Sequence, residues 1–459
     1  MIFASFVFLF WFLPAFLAVY FALPERARNA WMLVASLVFY GWWWPPYLLL
    51  LLGSTLFDYG MALAMGPVDS GRQRKRWLVW TLISNFGLLG WFKYANLFAD
   101  SWNALAATPL DWTRVLLPIG ISFHTFQSMS YVIDVYRGDV RPVRSVLEVL
   151  CYVTMFPPLV AGPIVRYRDV QAEMRDRRCT LLGFSDGVFL FAIGFAKKLL
   201  IADQVAPLAN AAFALPAPGL LAAWTGILAY AVQIYFDFSG YSDIAIGLGR
   251  MLGFRIPANF RSPYQAHSIT EFWRRWHVSL STWLRDYLYV PLGGNRRGPA
   301  RTYVNLALTM LLGGLWHGAA WTFVLWGAWQ GLWLIVERAR GKTAPWGFLP
   351  RPLQIACTFV LVLGGWVIFR AVSLDGVWAM WTGMAGAHGL GAMPDAGPVP
   401  VWTAAALVLG LGIAFVLPRS ELLVARFQPL VMLACLASFL LAVCHLLATR
   451  FTPFLYWNF

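Results

Sequence analysis

Charge is scarce in this chain. Only 12% of its 459 residues are Asp, Glu, Lys or Arg, about half the roughly 25% of a soluble globular protein. A water-soluble body of this size has too much surface to cover with so few charges. Acidic side chains are the rarer sign, 21 against 35 basic, which leaves a formal charge of +14. The five cysteines are odd in number, form no C-x-x-C pair and lie mostly in or beside apolar runs. They read as small membrane-helix residues, not as disulfides or zinc ligands. The six histidines have neither H-E-x-x-H nor zinc-cage spacing, so no metal site is expected. There is no P-loop, G-x-S-x-G elbow, dinucleotide fingerprint, solenoid-period repeat or low-complexity tract. A soluble enzyme, a disordered chain and a fibrous repeat are excluded.

Apolar residues make up 60% of the chain, with 25 Trp and 35 Phe, and the mean hydropathy is +0.63. These values describe an all-α polytopic membrane protein. Apolar runs cover Ile2–Leu23, Trp31–Trp44, Tyr47–Met65, Trp77–Phe98, Val115–Val135, Val146–Ile164, Leu181–Ile201 and Leu220–Ile246. Four more follow at Tyr303–Val336, Leu353–Phe369, Val401–Leu417 and Pro429–Leu447, the first of them interrupted by Gly313, Gly314 and Gly318. Roughly 11–13 transmembrane or re-entrant segments are expected, within one domain spanning 1–459. The first run has no basic leader or small-x-small cleavage site, so it is read as a retained helix. Arg26 and Arg28 mark one turn and Arg72-Gln-Arg-Lys-Arg76 another, with two apolar segments between them. Both basic turns then face the cytoplasm and the N-terminus lies outside. Positive-inside topology accounts for the basic excess, so nucleic acid is not an expected partner; membrane lipid is.

Residues 250–301 are too polar to span. Trp273, Trp276, His277, Leu280, Trp283, Leu284, Tyr287 and Leu288 nevertheless share one helical face, opposite Glu271, Arg274, Arg275, Ser281, Arg285 and Asp286. This is the pattern of an amphipathic interfacial helix. Ionisable groups inside apolar segments mark candidate sites. His317 lies between Gly314 and Gly318, where helices can approach closely, and a buried imidazole can take a proton from a hydroxyl and return it. It equally suits a packing histidine bonded to a carbonyl. His277 can orient a substrate, complete a histidine pair, or sit at headgroup level. Asp237 and Asp243 flank Gly240 within an apolar run. A broken helix lining a cavity, as in a proton-coupled transporter, is one reading of them. Pairing with Lys197 or Lys198 is the other.

The segment Trp273-Arg-Arg-Trp-His-Val-Ser-Leu-Ser-Thr-Trp-Leu-Arg-Asp-Tyr-Leu-Tyr-Val-Pro-Leu-Gly-Gly-Asn295 and the block Gly314-Leu-Trp-His-Gly318 resemble the membrane-bound O-acyltransferases. The likeness is strongest to the branch that acetylates alginate and related polysaccharides. Trp91-Phe-Lys-Tyr-Ala-Asn96, Tyr131-Val-Ile-Asp-Val-Tyr-Arg137 and Phe195-Ala-Lys-Lys-Leu-Leu-Ile-Ala-Asp203 also fit. The resemblance implies a ring of helices around a central funnel, with His317 catalytic and His277 the second site residue. It implies no tightly bound cofactor. The donor would be acetyl-CoA or an acyl carrier protein's thioester, and the final acceptor a secreted or surface polysaccharide, reached through periplasmic acetyltransferase partners. D-alanyl transfer to an envelope polymer is the related alternative. The setting would be a bacterial inner membrane. An anionic cytoplasmic donor makes Arg274, Arg275, Arg296 and Arg297 candidate phosphate contacts, against simple topology or lipid binding. The aromatic tail 451–459 resembles a tail motif of relatives or of small partner proteins, which makes Tyr456 a candidate acyl carrier or else an interfacial anchor.

Overall fold

The computed structural model describes residues 1–66, 70–341, 343–394, 400–424 and 429–449. Among these residues the regular structure is helical and contains no strand. That is the all-α class expected, because in lipid a helix satisfies its own backbone polar groups. The tail 451–459, with Tyr456, lies outside the described residues. The chain divides into two compact units, Met1–Phe191 with Ile244–Pro257 and Ala192–Asp243 with Ala258–Phe459.

The first unit contains α1 (Glu25–Gly41), α2 (Tyr47–Met65), α3 (Gly71–Leu89), α4 (Ile121–Arg137) and α5 (Val146–Thr154). α4 is buried on nearly every side and forms the centre against which α2 and α3 pack. Asp58 is wholly buried there and fully engaged. It accepts from Asn85 Nδ2 at 2.9 and 3.0 Å and from Ser128 Oγ at 2.5 Å, as a carboxylate among apolar helices must.

Next come α6 (Leu181–Ala196), a π-helical turn at Lys197–Ala202, and α7 (Leu220–Met251). α7 is one unbroken helix of 32 residues, so the broken helix that is one of the two readings of Asp237 and Asp243 is absent. Gly240 has a different purpose. A Cβ there would lie 2.8 Å from the Gly194 carbonyl and 3.3 Å from Lys198 N, so the glycine lets α7 press onto the chain that carries the two lysines. Lys198 Nζ meets Asp237 Oδ1 at 2.7 Å and Asp203 Oδ1 at 2.7 Å. Lys197 Nζ meets Asp243 Oδ2 at 2.7 Å, and Ser420 Oγ donates to the same oxygen at 2.6 Å. The two acids are therefore anchoring partners for adjacent lysines on a π turn.

The remainder of the second unit runs through α8 (Ile269–Arg275), α9 (Val278–Leu284), α10 (Gly298–His317), α11 (Trp321–Ala339), α12 (Arg351–Arg370), α13 (Pro400–Val416) and α14 (Pro429–Thr449). Among the described residues α2, α7, α12 and α14 are long and apolar enough to cross a membrane by length and composition, and Phe8–Ala22 and Val401–Val416 are shorter apolar helices. The run Tyr303–Val336 is two helices, divided at Gly318. α10 and α11 lie in backbone contact. A Cβ on Gly314 would fall 2.2 Å from the Phe323 carbonyl, and one on Gly327 would fall 2.4 Å from the Met310 carbonyl. Close approach through glycine replaces hydrophobic transfer as the main packing device where lipid surrounds the protein.

The single amphipathic helix expected across 273–288 is not formed. The helix stops at Trp276 and restarts after His277, whose φ of +42° is left-handed. Its apolar stripe is also spent on the protein interior. Trp276 is buried against Trp366, Phe260 and Phe272, with ring centroids at 4.8, 5.0 and 5.6 Å.

Candidate active site

α8 is held at its start by two carboxylates. Ser268 caps it and accepts from Glu271 N at 3.0 Å, while Glu271 Oε2 reaches back to His267 N at 2.9 Å. This is a capping box closed one residue further out than usual. Glu337 of α11, wholly buried, accepts from Ile269 N at 2.6 Å and Thr270 N at 2.9 Å. First-turn N–H groups have no partner inside their own helix, so the buried acid satisfies them. One turn further along α8, Trp273 donates from Nε1 to Gln330 Oε1 at 3.1 Å.

The corner after α8 puts His277 at the N-cap of α9. It is fully buried, with its ring against Phe238 at 4.7 Å and Trp316 at 5.9 Å. Nδ1 lies 3.2 Å from Asn259 Oδ1 and 3.4 Å from Ser279 Oγ. Nε2 is buried and has no hydrogen-bond partner among the described residues.

His317 is the last residue of α10 and is 3% exposed. Its ring is walled by Trp316 at 5.0 Å, Trp326 at 5.0 Å and Phe369 at 5.2 Å. The His277 and His317 ring centroids are 6.4 Å apart. That is longer than a direct N–H···N pair allows, and it leaves room for one oxygen between the rings. Two histidines 40 residues apart in sequence thus face one aromatic chamber.

Beside this chamber is a cavity of about 780 Å³ lined by Arg261, Arg274, Arg285, Arg338 and Trp273, among others. Trp273 is its inner wall, since its ring lies 5.8 Å from Trp326. Of the four arginines, Arg285 is held by Asp286 at 2.6 Å. Arg261, Arg274 and Arg338 make no ion pair among the described residues, and no carboxylate lines the cavity. The arrangement is a basic pouch, three of its four arginines without an ion pair among the described residues, separated from an imidazole pair by indole rings. It can hold an anionic carrier on one side and move a proton on the other.

The structure sorts the four arginines singled out in the sequence. Arg274 lines the cavity. Arg275 is bonded to Glu271 at 2.6 Å and to the carbonyls of Arg261 and Ser262. Arg296 and Arg297 are exposed on the turn before α10 and do not line the cavity. Asp237 and Asp243 belong to the lysine network described above. Asn259, Gln330, Glu337, Arg261 and Arg338 emerge only from the fold.

Residues 140–374 match the profile of MBOAT, the membrane-bound O-acyltransferase family. The chain is 52% identical over 390 residues to the probable alginate O-acetylase AlgI of Azotobacter vinelandii, covering 84% of this chain and 78% of the relative. It is 37% identical over 419 residues to the peptidoglycan O-acetyltransferase of Helicobacter pylori, covering 84% and 80%. The teichoic acid D-alanyltransferase of Bacillus subtilis is 27% identical over 274 residues, 55% of this chain and 68% of the relative. This chain belongs to the membrane-bound O-acyltransferase family. It is a membrane protein and an acyltransferase.

Proposed function

We propose that the chain passes an acetyl group from a cytoplasmic thioester donor across a bacterial inner membrane, for O-acetylation of a secreted or surface polysaccharide of the alginate class. The observation that carries this reading is the buried pair His277 and His317, 6.4 Å apart, beside a basic cavity. The donor's phosphates, on CoA or on a carrier's phosphopantetheine, would lie against Arg261, Arg274 and Arg338, with the thioester directed past Trp273. An acceptor hydroxyl gives its proton to His317 as its oxygen bonds to the acyl carbon. The carbon–sulfur bond then breaks, and His317 returns the proton to the departing thiolate. The aromatic walls keep water from competing as the acceptor.

Similarity to peptidoglycan and alginate acetylating proteins at 37% and 52% identity supports acetyl over D-alanyl transfer. Periplasmic acetyltransferase partners would carry the group on to the polymer, and the N-terminus would face the periplasm. The lysine-bound state of Asp237 and Asp243 speaks against proton-coupled transport as the function. Transfer of labelled acetyl to acceptor by membranes carrying the protein tests the reading. His317→Ala should lower the rate by about 10²–10⁴-fold with insertion unchanged. A well-inserted His317→Ala protein that transfers acetyl normally overturns it.

A further inference from the structure

We infer that Asn259 is a positioning residue that holds His277 in the Nδ1–H tautomer and so keeps a lone pair on Nε2 for the acyl-transfer site. The inference rests on the reading that the histidine pair performs acyl transfer. Its first step is the orientation of the Asn259 amide. The backbone N of Ser279 lies 3.2 Å from Oδ1, and a backbone N–H only donates, so that atom is the amide oxygen. The Ser279 hydroxyl also donates to it at 2.9 Å, and Asn259 Nδ2 donates to Ser242 Oγ at 3.1 Å. Both ends of the amide are thereby fixed, and Asn259 itself is buried.

The second step is the proton on His277. Oδ1 carries no hydrogen, so its 3.2 Å contact with Nδ1 is a bond only if Nδ1 is protonated. The Ser279 hydroxyl has committed its hydrogen to Asn259, which leaves its lone pair facing Nδ1 at 3.4 Å. One group opposes this arrangement. Leu280 N–H lies 3.4 Å from Nδ1 and would favour an unprotonated nitrogen. Two acceptors, one of them closer, outweigh one distant donor. Neutral imidazole protonated at Nδ1 has its acceptor at Nε2, and Nε2 is the buried atom without a partner among the described residues.

The third step is what that lone pair is for. The titratable group against His277 is His317, at 6.4 Å between centroids. α7 presents Phe238 and Ser242 to this corner, while its Asp237 and Asp243 are bound to Lys198 and Lys197. A direct N–H···N bond brings two imidazole centroids to about 5 Å. A swing of either side chain about its Cα–Cβ bond as substrate seats, which carries the whole ring, closes the difference, and catalytic hydrogen bonds commonly tighten in that way. His277 Nε2 then accepts the second N–H of His317, orienting the base while its other nitrogen takes the hydroxyl proton. The logic is that of a nucleophile, a base and an orienting third group, with Asn259 as the fourth member that sets the third.

The test uses ¹⁵N-histidine-labelled full-length protein in lipid nanodiscs, with His277 assigned by subtraction of a His277→Asn spectrum. Wild type should show a protonated-type Nδ1 and an unprotonated-type Nε2. In Asn259→Ala the freed Ser279 hydroxyl and Leu280 N–H both donate to Nδ1, so the proton should move to Nε2. Asn259→Asp should keep it on Nδ1. In acetyl-transfer assays Asn259→Ala should lose about 10²-fold in kcat with donor KM within about twofold. Asn259→Asp should restore most of that loss, and its activity should fall away at a higher pH than wild type, because the added carboxylate favours the imidazolium, which cannot accept. A wild-type proton on Nε2 overturns the inference, as does an equal loss in both variants with an unmoved pH profile. Absence of acetyl transfer by wild type would instead overturn the functional reading, and the ¹⁵N spectra would still decide the tautomer.

Discussion

Glu337 accepts the backbone N–H of Ile269 at 2.6 Å, which ties the start of the helix leading to His277 to the helix that follows His317. The two candidate catalytic side chains are therefore set relative to each other by a buried acid that neither neighbours in sequence. Glu337→Ala would leave the Ile269 and Thr270 donors buried without partners, at about 1–3 kcal/mol each. Glu337→Gln keeps one acceptor oxygen and should lose about half as much. The midpoint of thermal unfolding in detergent should fall in the order wild type, Gln, Ala. If Ala melts with wild type, the link does not hold the two helices.

The helical runs were legible because lipid-facing segments must be long and apolar; Tyr47–Met65 has the same bounds in sequence and structure. The corner at His277 was not. A left-handed histidine has no signature, and the apolar stripe around it continues through the break as if the helix did too. Gly240 was misleading for a related reason, since a glycine between two acids looks the same whether it breaks a helix or lets a neighbour approach. Asn259, Gln330 and Glu337 reach the site from distant segments, so only tertiary structure brings them there. One available signal was Ser268-Ile-Thr-Glu271, a capping-box spacing that marks the start of α8 and implies a short, separate helix.

His277 is one of two non-glycine residues with positive φ among those described. Asn adopts this backbone readily and a β-branched residue does not. Asn and Val have similar volumes, so His277→Asn and His277→Val leave similar cavities and differ in backbone cost. Asn can also cap α9, which Val cannot. His277→Val should therefore be less stable than His277→Asn by about 2–3 kcal/mol, measured by chemical or thermal unfolding, while both lose acetyl transfer. Equal stability would show that the left-handed corner relaxes without cost.

The cavity arginines separate donor binding from topology. Arg261, Arg274 and Arg338 line it without ion-pair partners among the described residues, whereas Arg296 and Arg297 are exposed outside it. A charge-assisted bond to phosphate contributes about 1.5–3 kcal/mol, so losing even one should raise donor KM by about ten- to a hundredfold. Changing Arg261, Arg274 and Arg338 singly to Gln should do so with kcat little altered. The pair Arg296→Gln and Arg297→Gln should leave donor KM near wild type. The reverse ranking would move the donor site to the turn before α10.

Gly314 sets the distance between α10 and α11, and with it the place of His317. A methyl group there would sit 2.2 Å from the Phe323 carbonyl oxygen and 3.1 Å from Gly327 N, both backbone atoms. No side-chain rotation relieves that contact, so the helices must part. His317 lies three residues on, and its indole neighbour Trp326 precedes Gly327, so separation opens the chamber at the reacting ring. Gly314→Ala should cost about 1–3 kcal/mol from overpacking and reduce acetyl transfer by more than the loss of folded protein explains. Gly53→Ala is the control, because nothing lies within 4 Å of a Cβ at that exposed position of α2 and Ala favours the helix. Quantifying folded protein by size-exclusion profile, and turnover per folded molecule by labelled acetyl, distinguishes the two effects. A Gly314→Ala protein with normal turnover per folded molecule would mean that the spacing of α10 and α11 does not govern the histidine site.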